Sequence, residues 1–312
     1  MGGQEQSVIA LKKRYNNFWK VATPVIIAGV LPFLFSSRAF AQEEGRISTD
    51  TVTEIQTADP VAARRLKHQE EFSYGAFASI ESNYLWRGLN LGGLSLQGSA
   101  NISYWGVYLD MWWNLGVPDY GFKAFQPEVD LTFGFRRWGL DICAMYVYNF
   151  NKGFFDFSNY PPGSGGNGLE VRGRYTVSDK IPLSFLWATK VSAKDGYYDE
   201  SGELKRAWST YIEVSYTHTF KNGLSLYGAV GMTPWRSIYT YYYGGAMVNN
   251  IDLRCWKKWV VSKHCGIQLT GQLMLNPYFM TDRTAAEAVY SHHQLGSPQL
   301  NGNIGVKVFL IK

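Results

Sequence analysis

Apolar and polar residues alternate with a period of two along most of the chain from residue 73 onward. This is the pattern of β-strands that have one apolar and one polar face. The segment 125–135 is the clearest case. One face carries Phe125, Pro127, Val129, Leu131, Phe133 and Phe135, and the other carries Gln126, Glu128, Asp130, Thr132 and Gly134. A soluble β-sandwich or a membrane barrel would both use such a strand, so the choice between them depends on how the strands are connected.

The pattern predicts about twelve strands, most of them nine to twelve residues long, which is the length a tilted strand needs to cross a bilayer. The predicted strands are 74–86, 94–104, 107–115, 125–135, 140–150, 169–177, 181–191, 208–220, 224–232, 248–255, 267–277 and 304–311.

The predicted connections alternate between short and long. Residues 105–106, 136–139, 178–180 and 221–223 form short turns, whereas 151–168, 192–207 and 278–303 are among the long connections. Short periplasmic turns and long external loops are typical of outer-membrane barrels, and a soluble sandwich has no reason to alternate in this way. The fold class predicted is therefore all-β, a transmembrane antiparallel up-and-down β-barrel of about twelve strands at 73–312. An even strand number places both termini on the periplasmic side.

The N-terminal segment has the three parts of a secretory signal: basic residues up to Lys20, an apolar run at 21–35, and Ala39-Phe40-Ala41 as a cleavage site. The alternative is a membrane anchor, but the run is short and carries Pro24 and Pro32, while a spanning helix needs about 20 residues. We therefore expect 1–41 to be a signal peptide and 42–72 a periplasmic N-terminal tail.

Removal of 1–41 leaves 25 basic and 24 acidic residues, so the basic pI of 8.9 comes mainly from the signal. A nucleic-acid partner is not indicated. Aromatic residues make up 16% of the chain and mean hydropathy is −0.18, as suits a barrel in outer-membrane lipid. The cysteines show no paired Cys-x-x-Cys, so no metal site or other cofactor is predicted.

The polar faces of the strands carry thirteen charged residues that parity assigns to the lumen. They are Glu81, Asp110, Glu128, Asp130, Asp141, Glu170, Arg172, Arg174, Lys190, Glu213, Asp252, Arg254 and Lys307. Eight are acidic and five are basic, which predicts a weak preference for cations if the lumen is open. The alternative is that these charges pair across the barrel as a structural plug.

Aromatic residues fall into two predicted groups. Tyr108, Trp112 and Tyr227 face inward by parity, where they would fill a narrow barrel or form a track that stacks on sugars. A second group lies near strand ends, at the depth of the lipid headgroups. Its members are Tyr84, Trp86, Tyr104, Trp105, Trp138, Phe150, Trp208 and Phe220.

Cys255 and Cys265 bracket the last predicted periplasmic connection, where an oxidising compartment permits a disulfide. The bridge would leave Cys143 free; the alternative is two unpaired thiols. No catalytic residues are predicted: Gly-x-Ser-x-Gly is absent and His218 falls on an apolar strand face, so nothing fixes a nucleophile beside a base.

The first predicted strands resemble a known family. Ser82-Asn83-Tyr84-Leu85-Trp86-Arg87-Gly88 is followed by Leu96-Gln97-Gly98-Ser99-Ala100, Tyr104, Gly106-Val107-Tyr108-Leu109 and Trp112. This series is similar to the opening of the TorF family of exported barrel proteins, also called the Gcw-chp family. The resemblance implies the bacterial cell outer membrane, a pore, and assembly by the barrel assembly machinery. That family usually ends in an aromatic residue, whereas this chain ends Val308-Phe309-Leu310-Ile311-Lys312.

Three functions remain open on these grounds. The first is a porin-like channel for passive passage of small solutes of unknown identity. The second is a non-conducting barrel with a structural or adhesive role, and the third, least supported, is a lipid-active barrel enzyme.

Overall fold

The computed structural model describes residues 72–117, 126–150, 153–157, 167–192, 195–240, 242, 245–277 and 298–310. The predicted signal peptide and nearly all of the predicted tail lie outside these residues, as do parts of five long connections. No helix among the described residues is long and apolar enough to cross a membrane.

Twelve antiparallel strands form a closed barrel in the described part of the chain. In chain order they are β1 (Phe72–Glu81), β4 (Ser95–Tyr104), β5 (Val107–Gly116), β6 (Gln126–Arg137), β7 (Leu140–Tyr148), β8 (Gly168–Thr176), β9 (Leu183–Ser192), β12 (Thr210–Thr219), β13 (Leu224–Thr233), β14 (Met247–Ser262), β15 (Cys265–Asn276) and β16 (Gln299–Leu310). Each pairs with its chain neighbours in the wall, and β1 closes the barrel by pairing with both β4 and β16. The predicted fold class is confirmed.

Two further hairpins lie between wall strands. β2 (Tyr84–Trp86) pairs with β3 (Leu89–Gly92), and β10 (Gly196–Tyr198) pairs with β11 (Leu204–Arg206). A 3₁₀ turn at Ile238–Thr240 follows β13. These elements all belong to the long connections. We call their end of the barrel the loop end, and the end with the short connections the turn end.

The short connections include two X-Gly turns with positive φ at both residues: Trp105-Gly106 (φ 55° and 85°) and Trp138-Gly139 (φ 55° and 78°). Such turns match the right-handed twist of an antiparallel strand pair. β1 begins and β16 ends at the same turn end, as an even strand number requires.

The outer face of the barrel is apolar and exposed. Its residues include Ile80, Ile102, Leu109, Met111, Leu131, Phe133, Ile142, Leu226, Val230, Leu253, Leu273, Val306 and Val308. Inner-face neighbours on the same strands are polar and buried, for example Ser79, Thr132, Asp252 and Gln272. A sheet with an apolar exterior must close in hydrocarbon, because each unpaired backbone group there costs several kcal/mol.

Six of the eight aromatics predicted at headgroup depth are exposed on the exterior: Tyr104, Trp105, Trp138, Phe150, Trp208 and Phe220. The predictions for Tyr84 and Trp86 are wrong. Both belong to β2, which leaves the wall, and their rings lie at 5.5 Å from Trp112 and 5.2 Å from Tyr239, measured between centroids.

The disulfide between Cys255 and Cys265 is also contradicted, since both cysteines are free. β14 continues to Ser262, beyond the end predicted at Cys255, and Cys255 pairs with Gly271 while Cys265 pairs with Ser262. The six residues from Cys265 to Gly271 span about 20 Å along a strand. A disulfide needs Cα atoms within about 7 Å.

Candidate functional site

The hairpin β2–β3, residues 84–92, lies inside the barrel and is here called the lumen hairpin. Its contacts reach β14, β15 and β16 on one side of the strand order and β6 and β8 on the other. Only a segment that crosses the interior can contact opposite sides of a closed sheet. The lumen hairpin therefore spans the lumen, close to the loop end.

The turn of the lumen hairpin explains why it can reach across. Arg87 and Gly88 have φ values of 48° and 84°, so the tip is another X-Gly turn like those at the turn end. Gly88 lies directly against the wall: an ideal Cβ on it would sit 1.9 Å from the backbone oxygen of Asn249. Glycine is thus required here both for the turn and for the close approach.

Asparagine side chains hold the backbone of the hairpin against one wall. Asn249 Nδ2 donates to the carbonyl of Arg87 at 2.8 Å, and Asn276 Nδ2 donates to the carbonyl of Gly88 at 3.1 Å. Asn90 Nδ2 donates to Asn301 Oδ1 at 3.1 Å. The first two bonds satisfy backbone carbonyls that a buried turn would otherwise leave unpaired.

The Arg87 side chain extends from the tip to the opposite wall. Its Nη1 and Nη2 atoms donate to the two carboxylate oxygens of Glu170 on β8 at 2.7 and 2.8 Å. Tyr239, from the 3₁₀ turn, accepts from Arg87 and donates to Glu170 at 3.0 Å. The guanidinium also lies 4.7 Å from the centre of the Trp86 ring and 4.9 Å from that of Tyr211. Two parallel hydrogen bonds between a guanidinium and a carboxylate fix the relative orientation of the two groups and strengthen the ion pair.

This cluster is buried. Glu170, Tyr211 and Tyr239 are fully buried, and Arg87 is 8% exposed. Removing one partner of a buried ion pair leaves an uncompensated charge, which costs about 3–5 kcal/mol. The cluster therefore holds the lumen hairpin in place and narrows the lumen at the loop end.

Below the lumen hairpin the inner wall is accessible to solvent. The side chains of Arg254 and Arg136 are 41% and 38% exposed, although both lie on the inner face of a closed barrel. Arg136 pairs with Asp141 at 2.7 Å, and Arg254 Nε donates to Asp252 at 2.9 Å. The inner wall below the lumen hairpin is thus lined by charged side chains that solvent can reach.

All thirteen charged residues predicted for the lumen lie on inner-face positions. Residues paired across neighbouring strands face the same side of the sheet, and these charged residues pair with buried inner residues. Examples are Arg172 opposite Ala188, Glu213 opposite Leu186 and Lys307 opposite Gln268. Tyr108, Trp112 and Tyr227 also face inward, and they pack or bond locally: Tyr108 donates to Asp141 and Tyr227 to Glu213, both at 2.7 Å. In the described structure they fill the barrel rather than form a continuous track.

The predicted set omitted three basic residues. Arg136 lies over the inward Tyr108 ring, and Lys258 shares an inner row with Gln268 and Lys307. Arg87 enters from the lumen hairpin. Among the described residues the lumen thus has eight acidic and eight basic side chains, so the expected acidic surplus is wrong. The alternation of inner and outer positions identifies Arg136 and Lys258 as inward-facing once β6 and β14 are extended to their observed ends. Arg87 lies in a turn outside the wall strands, so the alternation cannot identify it.

His218 lies exposed near the turn end, on the outer face that the strand alternation predicts for it, with its ring 4.5 Å from that of Phe220. Among the described residues no cluster of His, Cys, Asp or Glu has the arrangement of a metal site. In the connection between β9 and β12, Asp195 is buried beside Ser209, whose backbone N–H and hydroxyl both donate hydrogen bonds to the Asp195 carboxylate. Burial raises the pKa of Asp195, and these hydrogen bonds oppose the rise.

Comparison with solved structures gives matches among outer-membrane barrels. OmpF from Salmonella typhi in complex with daunomycin has 10% identity and a TM-score of 0.31, over 77% of this chain and 97% of that one. The NanC porin has 9% identity and a TM-score of 0.39, over 77% and 100% of the chains. An outer-membrane channel from Pseudomonas putida F1 has 10% identity and a TM-score of 0.39, over 76% and 94%.

Identities this low concern the fold alone. No protein-family model matches the chain, and no curated protein sequence matches it.

Proposed function

We propose that this chain forms a channel of the bacterial outer membrane that passes small solutes by diffusion, through a lumen narrowed by the lumen hairpin. The observation that carries the proposal is the inner wall below the lumen hairpin. It is polar, charged and open to solvent, inside a barrel whose exterior is apolar. A barrel that serves only as a scaffold has no need of a hydrated interior.

The exterior of the barrel supports this location. Membranes are spanned by β-structure only as closed barrels, and an apolar band flanked by interfacial aromatics is the feature that seats such a barrel in outer-membrane lipid. The exposed leucines, isoleucines and valines supply the band, and Tyr104, Trp105 and Trp138 supply aromatics at the turn end. The resemblance of the first strands to the TorF family supports the same location.

Strand number is consistent with a narrow pore. Eight-stranded barrels are just wide enough to be filled by side chains, and barrels of 16 to 18 strands leave an aqueous channel. Twelve strands lie between these cases, so a loop folded into the lumen decides how much space remains. We expect passage of ions and small solutes.

A second function is favoured by the buried cluster at the tip of the hairpin. If Arg87, Glu170, Tyr211 and Tyr239 close the lumen completely, the barrel is a structural or adhesive protein that displays its loops. The β10–β11 hairpin, whose Ser201 and Gly202 are exposed, would then be part of the functional surface.

Recordings from the purified chain in planar bilayers separate the two functions. The channel predicts small, well-resolved conductance steps, and Arg87→Ala should enlarge them because the hairpin loses its contact with β8. Arg137→Ala is the matched control: this arginine stacks on Trp105 and Trp138 at the turn end and faces outward. No steps from the wild type at any voltage, with steps only from Arg87→Ala, would favour the structural barrel.

A further inference from the structure

The sixteen inner charges are sorted along the axis of the barrel. Position can be measured as the number of residues from the turn-end terminus of each strand, and no inner charge lies at five. Four residues or fewer from that terminus lie Asp110, Arg136, Asp141, Arg172, Arg174, Lys258 and Lys307. Six or more residues away lie Glu81, Glu128, Asp130, Glu170, Lys190, Glu213, Asp252 and Arg254, together with Arg87 on the lumen hairpin.

The two halves carry opposite surpluses. The half at the turn end has five basic and two acidic side chains, and the half at the loop end has six acidic and three basic ones, among the described residues. The ion pairs Arg136–Asp141, Arg254–Asp252 and Arg87–Glu170 each lie within one half, so they leave these surpluses unchanged. Arg172–Glu170, at 3.8 Å, joins the two halves.

We propose that this arrangement makes the channel conduct unequally in the two directions, so that the barrel acts as a rectifier. The inference rests on the proposed channel function. Charged linings concentrate ions of opposite sign, so cations collect in the loop-end half and anions in the turn-end half. A positive potential on the loop side drives cations inward from the loop end and anions inward from the turn end. Both kinds of ion therefore accumulate in the middle of the lumen, and the ion concentration there rises. The opposite potential draws both kinds out and depletes it.

Salt concentration sets the strength of the effect. The Debye length is about 10 Å at 0.1 M salt and about 3 Å at 1 M. At the lower concentration the surplus of each half acts across the width of a narrow lumen, whereas at the higher one it is screened close to the wall. Rectification should therefore weaken as salt rises, even though the total conductance increases.

The test is the current–voltage curve of single channels of known orientation. An epitope inserted after Ser201, in the exposed connection between β10 and β11, identifies the loop side when antibody is added to one chamber. In 0.1 M KCl the current with the loop side positive should exceed that at the opposite potential roughly twofold at about 100 mV, and the two should become equal at 1 M.

Paired variants locate the origin of the effect. Lys258→Gln with Lys307→Gln removes two charges from the turn-end surplus and should bring the ratio close to one. Lys257→Gln with Arg137→Gln removes two cations that face outward, and should leave the ratio unchanged. Glu81→Gln with Asp130→Asn reduces the surplus of the other half and should also lower the ratio, which keeps the test valid if the lysine variant does not fold.

Equal currents in 0.1 M KCl from oriented wild-type channels would overturn the inference and leave the channel intact. A larger current with the loop side negative would also overturn it. A protein that never conducts removes the proposed function itself, so the two failures are distinguishable.

Discussion

Inner and outer positions alternate residue by residue, and the two faces impose opposite demands on a side chain. On β15, Leu273 is 53% exposed on the outer face, whereas Thr270 lies on the inner face and accepts a hydrogen bond from Gln268. The positions are three residues apart on the same strand and near the same depth. A comparison of substitutions at these two positions therefore shows the effect of facing lipid or lumen, with little contribution from depth along the barrel axis.

We expect Leu273→Arg to lower the free energy of unfolding in lipid vesicles by about 2–4 kcal/mol, because an arginine near the bilayer midplane must leave water. Thr270→Arg should cost much less, since its side chain can be hydrated and lies beside Gly305, over which the Glu81 carboxylate is placed. Urea midpoints of the two variants measure the difference. Equal losses would mean that the assignment of faces on β15 is wrong.

At the scale of elements, periodicity predicts the wall well and the lumen hairpin not at all. All twelve predicted wall strands are present, because each has one face in lipid and one face in the lumen for its whole length. The first was predicted as 74–86, but the wall strand ends at Glu81. Alternation continues through Tyr84 and Trp86 although the chain has turned inward, so polarity alone could not show the departure.

A local signal for the hairpin does exist. Trp86-Arg87-Gly88 has the same X-Gly form as the turns at Trp105-Gly106 and Trp138-Gly139, and all three have positive φ at both turn residues. What the sequence could not provide is the destination of the hairpin, which depends on Asn249, Asn276 and Glu170, more than 80 residues away along the chain. Such contacts are formed by the closed barrel and leave no periodic pattern.

The tip of the hairpin gives a sharp test at this scale. Gly88→Ala should displace the lumen hairpin, because a Cβ there would meet the Asn249 carbonyl. Gly202→Ala is the matched control. Gly202, in the connection between β10 and β11, also has a positive φ (79°), but nothing lies within 4 Å of its ideal Cβ. Both variants carry the strain of a left-handed alanine, about 1–2 kcal/mol.

The readout is protease cleavage after Arg87 together with channel conductance. Displacement should expose the Arg87–Gly88 bond to trypsin and enlarge the conductance in Gly88→Ala, while Gly202→Ala resembles the wild type in both. If the two glycine variants behave alike, the hairpin is not held by the close approach of its tip to β14.

At the scale of the whole molecule, the balance of charge in the lumen would set the ion selectivity of the proposed channel. Counting only the charges that strand periodicity placed inside the barrel gives eight acids against five bases, and hence a cation preference. The described structure adds Arg87, Arg136 and Lys258 and brings the bases to eight. A lumen of zero net charge concentrates neither kind of ion overall, although each half does so locally.

We therefore expect the wild-type channel to show almost no selectivity, with a reversal potential within about 10 mV of zero in a tenfold KCl gradient. Lys258→Gln with Lys307→Gln should shift that potential towards the value for cations, since two positive charges leave the wall. Lys257→Gln with Arg137→Gln, which alters charge on the outer face, should not move it. A clear cation preference in the wild type would contradict the balance of eight acidic and eight basic side chains that the described residues give the lumen. A shift with the outer-face variant as large as that with the inner-face one would instead assign selectivity to the field at the mouth of the barrel.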